Sequence, residues 1–481
     1  MLFNSFEFLF FLPIVFLLYW FVFNHSMSKQ NILILIASYI FYGWWSLKFL
    51  GLLVLITILD YLYGFGVAST NKNKSKFFLW LSVLNNIGIL FVFKYYNFFI
   101  NEFVDLFHLL GFHVNVSLIN LVLPIGISFY TFHGMSYVFD IYNKIQNPIK
   151  SFTDYGVFVS FFPLLVAGPI ERAGHLLPQI QNQRTFNYTQ MVSGLRLILY
   201  GLFKKVVIAD SLAPIADNFF NHYSTYNGVT LIFGAVIFSF QIYCDFSGYS
   251  DVALGTAKLF GFELLSNFKF PYFSRDLAEF WRRWHISLSS WFRDYLYIPL
   301  GGSKNGPLIT FRNTLIIFLI SGFWHGANWS FIAWGGIHAL GFLPLLILKN
   351  NKKYVNDVVA SGRNFPSMVE IFQMFITFSF VTFAWIFFRA ESFAAGLLYL
   401  KQIGISLMSN PLQTPIGLNA LLYIIPVVMI DWYLRNDERN LKVVKNKWIR
   451  YVLYFIMAFL VFNTMLGYNE KEAKNFIYFQ F

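Results

Sequence analysis

Apolar stretches of roughly bilayer-crossing length follow one another along almost the whole chain, at residues 8–23, 31–46, 49–67, 77–96, 115–133, 153–168, 190–209, 228–246, 308–324, 329–348, 368–388, 417–434 and 449–467. A helix needs roughly 20 apolar residues to cross the hydrocarbon core. Lipid offers no partner to exposed backbone groups, so an apolar stretch of that length must satisfy its own hydrogen bonds as a helix. With tilted, re-entrant or split stretches among them, the pattern predicts about eleven to thirteen spanning or re-entrant helices in an all-α polytopic membrane protein. No fixed-period repeat, low-complexity tract or soluble domain interrupts it. Residues 1–467 are therefore expected to form one membrane domain and 468–481 a C-terminal tail.

Composition agrees: 57% of residues are hydrophobic, 21% aromatic and only 12% charged, and mean hydropathy is +0.57. Met1 to Glu7 carries no Lys or Arg and no small-residue cleavage pattern follows, so the first apolar run is expected to be a spanning helix and not a removable signal. The single cysteine, Cys244, cannot form an intrachain disulfide and reads as structural. The net charge of +12 does not point to nucleic acid, because the basic residues fall in short breaks: Lys72, Lys74 and Lys76; Lys349, Lys352 and Lys353; and Arg435 to Arg450. Positive loops face the cytoplasm. That places the N-terminus, Asn101 to His113, and the tail from Gly467 to Phe481 outside.

The interval 263–306 is too patterned for a loop. Trp281, Trp284, His285 and Leu288 fall at offsets 0, 3, 4 and 7, one face of a predicted helix. Glu279 and Arg283 form an i,i+4 pair on its other face. Such a helix lies at the membrane interface or lines a polar cavity. Serine-hydrolase elbows, His-Glu-x-x-His pairs, phosphate-binding Gly-rich loops and cysteine clusters are all missing from the sequence, and no metal or nucleic-acid site is indicated. What remains is histidine chemistry. His325, in Ser321-Gly322-Phe323-Trp324-His325-Gly326-Ala327-Asn328-Trp329, ends an apolar run, and an ionisable group there marks a functional site by default. A packed or pore-lining imidazole is the competing reading.

The chain carries Leu123-Pro124-Ile125-Gly126-Ile127-Ser128-Phe129-Tyr130, Ala167-Gly168-Pro169-Ile170-Glu171-Arg172, Asp245-Phe246-Ser247-Gly248-Tyr249-Ser250-Asp251, Phe280-Trp281-Arg282-Arg283-Trp284-His285, Tyr297-Ile298-Pro299-Leu300-Gly301-Gly302 and Trp324-His325-Gly326. In this combination it resembles the membrane-bound O-acyltransferase superfamily over nearly its whole length. The resemblance is to the bacterial branch of alginate O-acetylation, peptidoglycan O-acetylation and teichoic-acid D-alanyl transfer. It implies helices around a central tunnel, with His325 in the position of the essential histidine and His285 in that of a second histidine shared within the branch. His285 can bind substrate, orient a group or merely pack. A neutral imidazole takes a proton from a hydroxyl attacking a thioester, with an ordinary pKa near working pH. Trp281, Trp284, Trp324 and Asn328 are the expected substrate-binding residues.

The resemblance also implies a thioester donor, acetyl-coenzyme A or an acyl carrier protein, with no tightly bound cofactor. It implies a polysaccharide acceptor and an extracytoplasmic SGNH-like partner acyltransferase. The chain ends Phe476-Ile477-Tyr478-Phe479-Gln480-Phe481. That ending is similar to the last residues of a small companion protein of D-alanyl transfer, whose tyrosine is proposed to carry the acyl group. Tyr478 is thus a candidate covalent acyl carrier, with an aromatic interface anchor as the alternative. The eleven residues from Gly467 reach roughly 35 Å if extended. Outside the enzyme class, a transporter of an activated donor or glycan and a scaffold for an export complex stay open.

Overall fold

The computed structural model describes Met1–Gly467 apart from residues 115, 117, 120, 167, 305, 356, 412 and 440–445. The described residues are almost entirely helical and form two compact units: Met1–Gly194 with Thr256–Leu265, and Leu195–Gly255 with the chain from Ser266 onward.

The first unit contains α1 (Phe6–Leu17), α2 (Met27–Gly43), α3 (Leu47–Val67), α4 (Lys72–Leu90), α5 (Tyr96–Leu109), α6 (Ile127–Tyr142), α7 (Phe152–Ser160), α8 (Phe162–Leu165) and α9 (Ala173–Gln181). A wider i+5 turn at Phe91–Tyr95 joins α4 and α5 into a continuous 38-residue helix. Starts follow local chemistry: Ser5, Ser26, Asn71 and Ser151 each accept a hydrogen bond from a first-turn N–H that has no partner within its own helix. Buried polar groups are matched in place. Asp60 accepts from Ser82 Oγ at 2.7 Å and Asn86 Nδ2 at 3.0 Å. Glu171 accepts from Leu265 N at 2.7 Å and meets His175 Nδ1 at 2.7 Å.

The second unit contains α11 (Asp210–Asn221), α13 (Leu277–Arg283), α14 (Ile286–Phe292), α15 (Pro307–His325), α16 (Trp329–Ile347), α17 (Met368–Arg389), α18 (Phe393–Ser409), α19 (Leu421–Leu434) and α20 (Lys447–Leu466). Two helices, α10 (Tyr188–Leu202) and α12 (Gly228–Leu259), contribute residues to both units. α10 meets α12 at Gly201 and Gly248, where a Cβ on Gly248 would lie 2.7 Å from the Gly201 carbonyl oxygen. Apolar helices lack a hydrophobic drive to associate in lipid, so close backbone approach at small residues supplies the packing.

Seven described helices are long and apolar enough to cross a membrane: Leu47–Val67, Lys72–Leu109, Gly228–Leu259, Pro307–His325, Trp329–Ile347, Met368–Arg389 and Lys447–Leu466. Four shorter apolar helices accompany them. Two predicted runs are placed differently. Among its described residues, the stretch 115–133 is helical only from Ile127, because Pro124 and the left-handed Gly126 (φ 72°) precede it. The stretch 153–168 is split between α7 and α8 at Phe161, which leaves the helical region with ψ 114°. Cys244 is buried and unbridged. The tail 468–481, with Tyr478, lies outside the described residues.

Candidate active site

The α15–α16 hairpin fixes His325. The two helices run antiparallel through the tight link Gly326–Asn328, and they approach closely because Gly322 and Gly335 have no side chains. A Cβ on Gly322 would overlap the Phe331 carbonyl, and one on Gly335 would overlap that of Phe318. Asn328 starts α16: its Oδ1 accepts from Ser330 N at 2.9 Å, and its Nδ2 donates to the Glu391 carbonyl at 2.8 Å. This leaves His325 as the last residue of α15, 4% exposed. Its ring centroid lies 4.8 Å from Trp324, 5.2 Å from Trp334 at 88°, and 5.2 Å from Phe388 at 72°.

The predicted continuous helix over 281–288 is corrected by the structure. α13 ends at Arg283, Trp284 is extended (φ −105°, ψ 126°), and His285 takes a left-handed conformation (φ 43°) before α14 begins. The residues 267–269 cause the break. Lys269 N donates to the Arg283 carbonyl at 2.9 Å, Ile286 N donates to the Asn267 carbonyl at 2.9 Å, and Ser287 Oγ donates to Asn267 Oδ1 at 3.0 Å. Arg283 C=O and Ile286 N–H are thereby taken out of the helical ladder. Left-handed backbone at a non-glycine residue costs of order 1–3 kcal/mol and concentrates at functional sites.

Despite the break, Trp281, Trp284, His285 and Leu288 line one cavity of about 250 Å³ together with Ser289, Phe292, Tyr297, Thr314, Ile317, Phe318, Ser321, His325, Phe342, Leu346 and Asn351. The imidazoles of His285 and His325 are 6.5 Å apart, centre to centre. Trp324 packs against both rings, 6.0 Å from His285, without lining the cavity, and Asn328 acts as the α16 cap. The lining residues 314, 318, 321 and 325 follow one face of α15, so His325 closes a path of about 16 Å whose other end lies at Thr314, Leu346 and Asn351. The walls are mostly apolar. Trp281 Nε1 is a buried donor without a partner among the described residues. Burial pushes the His285 imidazole down to about 3, so it stays neutral.

Glu279 and Arg283 form the predicted pair, Arg283 Nη2 to Glu279 Oε1 at 2.9 Å. Glu279 is 1% exposed. It also accepts from Arg275 N, Nε and Nη2 at 2.8, 3.0 and 3.1 Å. Two guanidiniums thus compensate a buried carboxylate, and this pins α13 beneath the cavity wall. Sequence reasoning passed over Trp334 and Phe388 around His325, and Ser289, Thr314 and Asn351 along the cavity. The repeat 314, 318, 321, 325 was the available signal for the α15 face; Trp334 and Phe388 had none. Among the described residues no group of three or more His, Cys, Asp or Glu is placed to hold a metal ion.

The profile of the membrane-bound O-acyltransferase family matches residues 143–354. A probable alginate O-acetylase of Pseudomonas putida is 35% identical over 100% of both chains. A peptidoglycan O-acetyltransferase of Helicobacter pylori is 32% identical over 100% of this chain and 98% of its own. A teichoic acid D-alanyltransferase of Streptococcus thermophilus is 30% identical over 56% of this chain and 69% of its own.

Proposed function

The chain belongs to the membrane-bound O-acyltransferase family, and we propose that it is an O-acetyltransferase serving a cell-surface or secreted polysaccharide from the bacterial cytoplasmic membrane. The donor is a cytoplasmic thioester, acetyl-coenzyme A or an acyl carrier protein. One observation carries this reading: His325 closes an apolar cavity whose far end, at Asn351, adjoins the basic residues Lys349, Lys352 and Lys353. The positive-inside rule assigns that loop to the cytoplasm. A thioester entering there brings its carbonyl to the imidazole, and apolar walls keep out competing water.

The chemistry balances without a cofactor. His325 takes the proton of the attacking hydroxyl as its oxygen adds to the thioester carbonyl. The tetrahedral oxyanion meets the Trp281 indole N–H. The C–S bond then breaks, and the thiolate takes the proton back from the imidazolium. His285 holds the wall beside His325 as a neutral ring. In the relay reading, the first attacking hydroxyl is the phenol of Tyr478. A sugar hydroxyl then displaces the phenolate from the aryl ester, and the phenolate recovers that hydroxyl's proton; each step runs downhill. An extracytoplasmic SGNH-like acyltransferase would complete transfer to the glycan.

Alginate-like polysaccharide is the first acceptor reading, supported by the full-length Pseudomonas putida relative. Peptidoglycan is the second, supported by the Helicobacter pylori relative. The test incubates purified protein in liposomes with acetyl-labelled acetyl-coenzyme A, followed by mass spectrometry of the C-terminal peptide in wild type, His325→Ala and Tyr478→Phe. A label on Tyr478 that vanishes in His325→Ala is expected. Equal thioester turnover in all three, with no labelled protein, overturns both the histidine mechanism and the relay.

A further inference from the structure

A second cavity in the unit that holds His325 has different chemistry. About 190 Å³ is lined by Phe240, Tyr243, Phe270, Tyr272, Phe273, Phe378, Val428 and Asp431. Six of the eight walls are aromatic. Phe240, Tyr272 and Phe378 pack on one another with centroids 5.1 to 5.8 Å apart. The single acid, Asp431, is 3% exposed and accepts from Tyr200 OH at 2.6 Å and Tyr243 OH at 2.7 Å. Each carboxylate oxygen has a second lone pair to give.

Asp431 has no ion pair among the described residues. The nearby ammonium of Lys204 lies over the rings of Tyr200 and Tyr243, at 4.8 and 5.6 Å, but is held by Asp251 at 2.6 Å and donates to Ser247 Oγ at 2.9 Å. Lys204 is thus taken up by the half-buried Asp251, and the buried Asp431 faces the cage with two tyrosine hydroxyls as its partners. An isolated buried charge is costly unless paired. The wall is also strained: Phe270 is left-handed (φ 49°, ψ 59°) immediately before Pro271. A bulky residue at positive φ is an outlier, and such strain recurs at ligand clamps.

We propose that this cavity binds an organic ammonium group, its charge facing Asp431 and its C–H groups against the aromatic faces. Ring faces attract cations, most strongly where water is excluded, and the cavity is far too apolar to hold a hydrated metal ion. The ammonium can belong to a lipid headgroup or to a soluble amine. Trp284, which lines the His325 cavity, also lies 6.3 Å from Tyr243 and 6.0 Å from Tyr272. Occupancy of the cage thus bears on a tryptophan of the acyl cavity and gives an optical readout.

The test titrates the purified full-length protein with choline chloride and with 3,3-dimethyl-1-butanol, the neutral isostere of choline, at matched ionic strength. Tryptophan fluorescence and thermal midpoint are recorded for wild type, Asp431→Asn, Phe378→Ala and His325→Ala. Saturable choline binding is expected, with the isostere at least tenfold weaker. Asp431→Asn should weaken choline at least tenfold and Phe378→Ala severalfold, with His325→Ala at wild-type affinity. That last result separates the cage from the acyl-transfer reading. If Asp431→Asn fails to fold, the isostere comparison and Phe378→Ala still decide. Equal affinity for choline and its isostere, undiminished binding in Asp431→Asn, or no saturable binding overturns the proposal. In nanodiscs, competition by added phosphatidylethanolamine against a phosphatidylglycerol background assigns the ammonium to a lipid, and its absence assigns it to a soluble amine.

Discussion

Replacing Gly322 by alanine adds one methyl group where α15 and α16 are closest, three residues before His325. The new Cβ overlaps the Phe331 carbonyl oxygen, a backbone atom that cannot rotate away, whereas an ordinary contact starts at 3.4 Å. The helices must separate locally by about 1 Å, and overpacking of this kind costs about 1–3 kcal/mol. The functional cost is larger in proportion, because His325 ends the same helix, and a 1 Å misplacement of a reacting group costs about 100-fold in rate. That corresponds to about 2.7 kcal/mol of lost transition-state stabilisation. The assay is thioester turnover in liposomes under kcat/KM conditions, paired with a thermal unfolding midpoint in detergent. Gly336→Ala is the control, since the nearest atom to its Cβ is Leu319 Cδ2 at 3.9 Å. Gly322→Ala should lose about 100-fold in kcat/KM and show a lower midpoint, while Gly336→Ala should hold both. Wild-type turnover in a well-folded Gly322→Ala would refute the claim that the glycine contact sets the position of His325.

Trp281→Phe keeps a ring in the cavity wall but removes the indole N–H, so it should lower kcat about tenfold with KM little changed; a rise in KM at constant kcat would make Trp281 a simple packing surface. Glu279→Gln leaves Arg275 and Arg283 facing a neutral amide, and breaking a buried pair from one side costs about 3–5 kcal/mol, measurable as a fall in denaturant midpoint. The folded His285 pKa of about 3 lies below the unfolded value near ~6.5, so the unfolded state binds the extra proton. Its contribution is full above pH 6.5 and declines as pH falls, by about 2 kcal/mol between pH 6.5 and 5. His285→Gln should flatten the stability–pH slope across that window, and an unchanged slope would assign it to other groups.

Much of the site was legible because helical periodicity is local. Thr314, Phe318, Ser321 and His325 recur on one face of α15, and the offsets of Trp281, Trp284, His285 and Leu288 marked a common wall even though the backbone there is not one helix. The wall survived the broken helix because the break turns His285 toward the same cavity. The break itself was not legible, since its cause is the pairing of Arg283 and Ile286 with Lys269 and Asn267, which periodicity does not register.

By itself the sequence determined that the chain lives in lipid as helices, because runs of apolar residues leave the backbone no other way to satisfy its hydrogen bonds. It also singled out His325, since an ionisable group is rare in such a run. Tertiary structure alone decided the surroundings of that histidine: Trp334 and Phe388 against the ring, and His285 6.5 Å away. It alone brought Asp431 to Tyr200 and Tyr243, 231 and 188 positions distant along the chain. Apolar periodicity specifies which face of a helix is buried, but not which polar group on another helix meets it. That pairing follows from how closely the helices pack, and here the contacts at Gly322, Gly335, Gly201 and Gly248 set the distances.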